Sequence, residues 1–265
     1  MPPRVKKTYN LLPCQNPNLI EVCIDECARG CGFGSTFIGA VVIDNTFIEK
    51  MKEENIIIRD SKKMTAKQRE KSFHFIKDNA LVYSVVSKDN KRIDELNILQ
   101  AVMEGMHDAI DNIREIMEID KILVDGDKFI PYIRDNKEFE YECVVEGDGT
   151  YIGIAAASIL AKHSHDVWIH HCVENDFENK YKKYGIESNM GYLTKVHLDA
   201  IKEYGISDMH RESFAPCNQY SNNPKFKNKK KFEKTKVNEK KVENIIQNTL
   251  HQFKFTDDND SESES

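Results

Sequence analysis

Residues Val22–Gly30 read V-C-I-D-E-C-A-R-G: an apolar run that ends in an Asp–Glu pair, with an Arg–Gly step just behind it. Val, Cys and Ile suit a buried, pleated strand, which puts Asp25 and Glu26 at its end. Two adjacent carboxylates repel one another unless a cation neutralises them, and a hard divalent ion with oxygen ligands fits that need. Arg29 beside such an ion points to a phosphate-bearing ligand. A lone Asp–Glu pair also reads as a solvated turn, so the assignment depends on the rest of the chain.

Two further segments supply carboxylates in the same setting. Lys121–Gly126 reads K-I-L-V-D-G, an apolar strand that delivers Asp125 to its C-terminal end, where Gly126 lets the backbone turn tightly. Cys143–Gly149 reads C-V-V-E-G-D-G, another short strand, and Asp148 follows it just ahead of a long helical stretch. Strand ends are where α/β sheets place their chemistry. Asp25, Glu26, Asp125 and Asp148, with no Cys or His at ligand spacing beside them, favour Mg²⁺ or Mn²⁺ over zinc. Two such ions a few ångströms apart would suit in-line phosphoryl displacement by water.

These residues carry a family resemblance. D-E-C-A-R-G at Asp25–Gly30 resembles the D-E-A-G-R-G signature of the ribonuclease HII (type 2 ribonuclease H) family. Further family blocks follow in order: D-S-K-K-M from Asp60, D-E-L-N-I-L-Q from Asp94, V-D-G from Val124, G-D-G then I-A-A-A-S-I-L-A-K within 147–162, N-M-G-Y-L-T from Asn189 and H-R-E-S-F-A-P from His210. The resemblance implies an RNase H-like α/β fold, a mixed five-stranded sheet flanked by helices, with a small C-terminal helical part that holds nucleic acid. It implies cleavage of the RNA strand of RNA–DNA hybrids and incision of duplex DNA 5′ to embedded ribonucleotides, leaving 3′-hydroxyl and 5′-phosphate ends. Carried over by position, Asp25, Glu26, Asp125 and Asp148 are the catalytic metal carboxylates. Arg29 and Gly30 match the loop that contacts the ribonucleotide, and Tyr192 the tyrosine that stacks near the RNA–DNA junction. Ser61, Lys62, Asn97 and Lys162 match positions that touch the nucleic-acid backbone or support the site.

The chain also departs from the pattern. Ala28 stands where the family has the first Gly of Gly-Arg-Gly, and Cys31 where it has Pro. An alanine is strained at positive φ, so the expectation is an unstrained backbone at 28, with junction specificity the property placed in doubt. Two alternatives stay open: a type 1-like ribonuclease H that needs several consecutive ribonucleotides, and a non-catalytic hybrid-binding protein. Arg29, Gly30 and Tyr192 argue against the first, and the intact carboxylate set against the second.

At 265 residues the chain has room for an N-terminal extension (1–18), a catalytic domain including its C-terminal substrate-binding part (19–218) and a tail (219–265). The net charge is −6; the tail holds ten Lys against eight acidic residues, so residues 1–218 carry 28 basic against 36 acidic side chains. A polyanion is repelled by that global field, and a local track such as Lys62, Lys63 and Lys67 must supply the attraction, unless those lysines are only a solvated helix start. Seven cysteines, no signal-like segment and no apolar run of about 18 residues predict reduced thiols, no membrane contact, a monomer, and a cytoplasmic or other intracellular site of DNA replication. Cys23, Cys27 and Cys31 lie every fourth residue in a strand-like segment, which does not aim three thiols at one point. His163, His165, His170 and His171 read as surface residues of one helix, and Trp168 carries no assignable chemistry.

Periodicity predicts antiparallel strands at Leu19–Asp25, Thr36–Ile43 and Leu81–Ser87, and long helices over Asp94–Glu118 and Gly149–Cys172. Thr65 and Asp94 read as helix starts. Ser158, Lys162 and Asp166 share one helix face, and Ala155, Ala156 and Ala157 either allow close approach to the sheet or serve helix propensity alone. Past Asn218, a Lys-rich run and an acidic Ser-rich end are signatures of a disordered tail. Between them Gln247, Leu250 and Phe253 have the spacing Q-x-x-L-x-x-F, which resembles the sliding-clamp-binding box of some archaeal ribonucleases HII; a plain amphipathic helix is the competing reading.

Overall fold

The computed structural model describes residues 11–227. The sheet is built from β1 (Glu21–Cys27), β2 (Thr36–Val42), β3 (Val82–Lys88), β4 (Lys121–Asp125) and β7 (Glu140–Val144), with β5 (Ile133–Arg134) and β6 (Lys137–Glu138) forming a separate small hairpin. The spatial order is β3-β2-β1-β4-β7; β1–β2 and β2–β3 pair antiparallel, β1–β4 and β4–β7 parallel. It is the mixed five-stranded sheet that the sequence implies. The helices are α1 (Asn45–Glu53), α2 (Ala66–Asn79), α3 (Asn90–Leu96), α4 (Ile98–Arg114), α5 (Ile152–Glu174), α6 (Ile186–Asn189), α7 (Lys195–Tyr204) and α8 (Pro224–Lys227). Among the described residues, no helix is long and apolar enough to cross a membrane.

Side chains alternate across a strand, so each central strand feeds two cores. Val22, Ile24, Ile38, Ala40, Ile122 and Val124 pack toward α4, where Met103, Met106, Ile110 and Ile113 form its apolar stripe. Cys23, Val41 and Leu123 face the other way, onto α5. The first ten residues of α5, Ile152–Ala161, are all buried, since that half lies between the sheet and α2. A helix apolar all round belongs in a core, which is why no stripe marks it in the sequence. A third cluster, with Phe33, Ile169, Val173, Tyr184, Ile186 and Ile201, joins the C-terminal helices to the loop after β1.

α5 sits unusually close to the sheet. A Cβ on Gly39 would lie 2.3 Å from the carbonyl oxygen of Ala157. The small residues Ala155, Ala156 and Ala157 therefore serve close approach, not propensity alone.

Three expectations need correction. The predicted helix over Asp94–Glu118 is two helices, broken at Asn97, whose φ of 77° no helix tolerates. Asp94 does not start a helix. Asp89 caps α3, Asn97 caps α4, and the Asp94 carboxylate instead accepts the backbone N–H groups of Glu212 and Ser213, each at 2.8 Å. Thr65 does cap α2, in a reciprocal capping box with Gln68. Finally, His165 is fully buried and His163 partly so, and of the four histidines on that helix only His170 and His171 are exposed. The His165 Nδ1 lies 3.3 Å from the Asp166 carboxylate, an anchor that sequence spacing does not reveal.

Replacing Gly39 with Ala forces a methyl against backbone, which cannot rotate away. The expected loss is about 3 kcal/mol, which is roughly 6–12 °C in Tm for a domain of this size. An unchanged melting curve would show that α5 can retreat without cost.

Candidate active site

Asp25 shares its strand face with Cys23, and Asp125 shares its face with Leu123; both therefore look toward α5. The parallel register stops at the pair Ile24 and Val124, so the next residues, Asp25 and Asp125, stand side by side on neighbouring strands about 4.8 Å apart, although β1 itself runs on to Cys27 along β2, so Asp25 is not at the strand end that the sequence suggested. The Asp125 carboxylate then accepts two backbone N–H groups, from Gly147 at 2.7 Å and Asp148 at 3.3 Å. These bonds draw the short turn Gly147–Gly149 against the strand end and bring Asp148 with it. The turn is tight there: a Cβ at 147 would sit 2.7 Å from the mobile Ile154 Cδ1 and 3.1 Å from that same carboxylate. The carboxylates from three segments thus share one electrostatic neighbourhood.

Their charges are in conflict. Asp25 is almost wholly buried, and burial, then the Glu26 and Asp125 carboxylates, push its pKa well above the usual range. A hydrogen bond from the Ser158 hydroxyl and the Glu26 N–H at 2.7 Å partly offset this. Burial also raises Glu26, against an opposing bond from Arg29 at 2.9 Å. Asp148 is raised to about 6, by burial first and then by Asp60 and Asp125. Asp60, in hydrogen-bond contact with Asp148, is a fifth carboxylate that sequence reasoning passed over, although it opens the D-S-K-K-M block. Burial works against the Lys62 ammonium, yet Asp25, Asp148, Asp60 and Asp125 together raise its pKa, so it is held charged above the cluster.

Beside the carboxylates lies a cleft of about 230 Å³. Glu26, Arg29, Gly30, Ser61, Lys62, Lys162 and Tyr192 all line it, so every substrate residue read from the sequence except Asn97 meets in one place. Asn97 is exposed and spends its side chain on the N–H groups of Leu99 and Gln100. Ser61 is buried, its hydroxyl 2.9 Å from that of Ser158, which links the 61–63 turn to α5. Lys162 donates to Asp166 at 2.7 Å; Arg69 holds the other oxygen of Asp166 at 2.8 Å and also the Ser61 carbonyl at 3.1 Å. Arg69 and Asp166 thereby brace both lysine-bearing elements. Of the proposed basic track, Lys62 alone of the three lysines reaches the cleft; Lys63 pairs with Asp60 at 2.8 Å.

Ala28 is a second correction. Its φ is 67°, the left-handed conformation, not the unstrained one expected of an alanine. The cost is roughly 1–2 kcal/mol, and the loop keeps the path that glycine would allow. Cys23, Cys27 and Cys31 are free thiols, with Cys23 and Cys31 buried and Cys27 partly so.

A family model for ribonuclease HII matches residues 22–217. The chain belongs to the ribonuclease HII family. A ribonuclease HII of Francisella tularensis subsp. mediasiatica is 39% identical over 200 residues, covering 75% of this chain and 96% of that protein. The crystal structure of ribonuclease H2 from Pyrococcus horikoshii superposes with a TM-score of 0.62 at 27% identity, covering 76% of this chain and 96% of that one. The ribonuclease HII in a PCNA complex from Archaeoglobus fulgidus shares the fold at 22% identity and a TM-score of 0.58, over 72% of this chain and 92% of that one. Membership makes the chain a ribonuclease H, an endonuclease that hydrolyses RNA in RNA–DNA hybrids.

Ribonucleases H are metal-dependent. Among the described residues, no three His, Cys, Asp or Glu side chains converge, as they stand, closely enough to hold an ion. In kind, the donors fit: all are carboxylate oxygens, and Asp25, Glu26 and Asp148 are each costly to ionise without a cation beside them.

Asp25 is harder to ionise in the folded chain than in the unfolded one, so near pH 7 it costs stability that would be regained as pH falls below its raised pKa. Asp25→Asn is therefore expected to melt above the wild type in chelator at pH 7, and to gain less Tm when Mg²⁺ is added. Equal Mg²⁺ responses would remove Asp25 from the cation site.

Proposed function

We propose that this ribonuclease HII cleaves the RNA strand of hybrids and also incises duplex DNA 5′ to a single embedded ribonucleotide, leaving 3′-hydroxyl and 5′-phosphate ends. The observation that carries the reading is the cleft in which Arg29, Gly30 and Tyr192 stand beside Glu26, the neighbour in sequence of the buried Asp25. Asp25, Glu26, Asp125 and Asp148 would hold Mg²⁺ or Mn²⁺ in a two-ion site. Bound ions supply Lewis acidity and a water nucleophile at neutral pH.

The chain's own groups do the rest. Lys62 and Lys162 offer charge to backbone phosphates where the body of the protein is net acidic, so binding should weaken steeply with salt. Arg29 is half-exposed while its partner Glu26 is largely buried, so the guanidinium would turn to a phosphate once a bound cation takes over the Glu26 charge. Tyr192, 39% exposed, presents a ring on which a sugar or base can stack, within 4.0 Å of where a Gly30 side chain would begin. A bulkier residue at 30 would close that gap.

Incubation of the purified chain with Mg²⁺ and a DNA duplex carrying one ribonucleotide tests the reading, with a continuous hybrid as comparison. Cutting of the hybrid alone would sink the single-ribonucleotide claim. Asp125→Asn keeps an oxygen for the Gly147 and Asp148 N–H groups, so the turn should persist. Hydrolysis is expected to fall by several orders of magnitude with hybrid binding retained; near-normal turnover would overturn the site.

Gln247, Leu250 and Phe253 lie outside the described residues. The Archaeoglobus ribonuclease HII forms a complex with PCNA, and we extend to this chain a tail contact with a ring-shaped sliding clamp, in which Leu250 and Phe253 enter an apolar pocket and Gln247 bonds at its edge. A synthetic peptide spanning Glu243 to Phe255 should bind the clamp of the same replication system. No binding at high micromolar peptide would leave the amphipathic-helix reading.

A further inference from the structure

The loop after β1 is the middle strand of a small sandwich. On one side Cys31 bridges Tyr192, and the Gly32 N–H donates to the Gly191 carbonyl at 2.9 Å. On the other, Phe33 bridges His210, the Gly34 N–H donates to Met209 O, and the Arg211 N–H to Gly32 O. His210 and Arg211 belong to the H-R-E-S-F-A-P block, to which the sequence assigned no role. Both are fully buried, as is His197.

The Arg211 guanidinium is spent on backbone carbonyls: Nε donates to Gly34 O at 2.8 Å and Nη1 to Arg29 O at 3.0 Å, while Nη2 is buried without a hydrogen-bond partner. Burying a cation with no carboxylate bonded to it is costly, and packing alone would be met by an apolar side chain. The bond to Arg29 O has a directional consequence. In a planar trans peptide the C=O and the following N–H point in opposite directions. With the Arg29 carbonyl turned inward to Arg211, the Gly30 N–H is turned outward, at a residue that lines the cleft beside Tyr192.

The two imidazoles fix the other half. His210 Nδ1 receives the Ser207 N–H at 2.9 Å, so its ring proton must be on Nε2. That Nε2–H meets His197 Nε2 at 2.9 Å, which leaves the His197 proton on Nδ1, where it donates to the Tyr192 carbonyl at 3.0 Å. The tautomers follow from the backbone donor at one end. Burial and the neighbouring His197 hold His210 down to about 3, and burial lowers His197, so both rings are neutral at neutral pH.

We propose that Arg211 and the His197–His210 pair are positioning residues for ribonucleotide recognition: Arg211 aims the Gly30 N–H into the cleft as a hydrogen-bond donor, and the imidazole relay fixes the backbone of Tyr192 behind it. The proposal rests on the single-ribonucleotide reading above. A lone ribonucleotide offers one productive register, whereas a continuous hybrid offers many, so loosened reading costs the first substrate more.

The test compares kcat/KM on a duplex with one ribonucleotide and on a continuous hybrid, for the wild type, Arg211→Met, His197→Phe and His197→Asn. Arg211→Met and His197→Phe should lower the ratio of the two at least tenfold. His197→Asn, whose amide N–H can replace Nδ1–H toward Tyr192 O, should restore it to within threefold. Equal losses on both substrates would mean a merely structural role and overturn the inference alone. Failure of the wild type to incise at one ribonucleotide would overturn the reading and the inference together. Long-range ¹⁵N–¹H spectra of the wild type give a check that needs no variant to fold: Nε2–H on His210 and Nδ1–H on His197 are expected, and the opposite tautomers would break the relay.

Discussion

Repulsion among carboxylates where the parallel pairing of β1 and β4 stops is the constraint around which this molecule is arranged. Asp25 cannot escape it, being buried on a central strand beside Asp125 and next in sequence to Glu26. The fold answers with fixed donors in place of free counterions. Asp125 takes two backbone N–H groups, Asp25 a hydroxyl and an N–H, Glu26 an arginine, and Lys62 stands charged over the group. These donors moderate the conflict without removing it, since Asp25, Glu26 and Asp148 all keep raised pKa values. A site that stays costly until cations arrive has spent stability on function.

The helix that holds this arrangement together gains its authority from closeness. α5 follows directly on the turn that carries Asp148, reaches Asp25 through Ser158, contributes Lys162 to the cleft and braces it through Asp166. A residue bearing a Cβ at position 39 would push the helix off the sheet and move all four contributions at once. Small side chains along its buried face are therefore as much a part of the site as the carboxylates they position.

The strands carrying Asp25 and Asp125 were legible from the chain because each apolar run stops at a carboxylate, although β1 continues past Asp25 to Cys27, and the ordered family blocks named the cleft residues that met there, Asn97 excepted. Local reading failed where long-range partners decide. Asp94 has the composition of a helix start, yet its carboxylate is claimed by Glu212 and Ser213, more than a hundred residues away. His165 looked solvent-facing because its neighbours on the helix are polar, and local sequence does not show that Phe37, from β2, covers its ring. At Ala28 the intrinsic preference of alanine pointed one way and the flanking pairings the other; the pairings, each distributed over several hydrogen bonds, outweigh roughly 1–2 kcal/mol of local strain.

That contest at Ala28 shows how recognition can be separated from chemistry within one strand. β1 carries the carboxylates just before its end at Cys27 and, from Cys31 onward, the same chain becomes the middle of the sandwich held by Gly191, Tyr192, His210 and Arg211. The carboxylate end is anchored in the sheet, whereas the end proposed to read the ribonucleotide is anchored in the C-terminal helical part, through Phe33 and its cluster. A disturbance of the C-terminal helices therefore reaches Arg29 and Gly30 before it reaches Asp25, because the carboxylates are held by β2, β4 and α5 on every side. On the proposed roles, the fold would let substrate selectivity vary through positions such as 28 and 31, where this chain differs from the family signature, while the proposed hydrolytic groups stay in place.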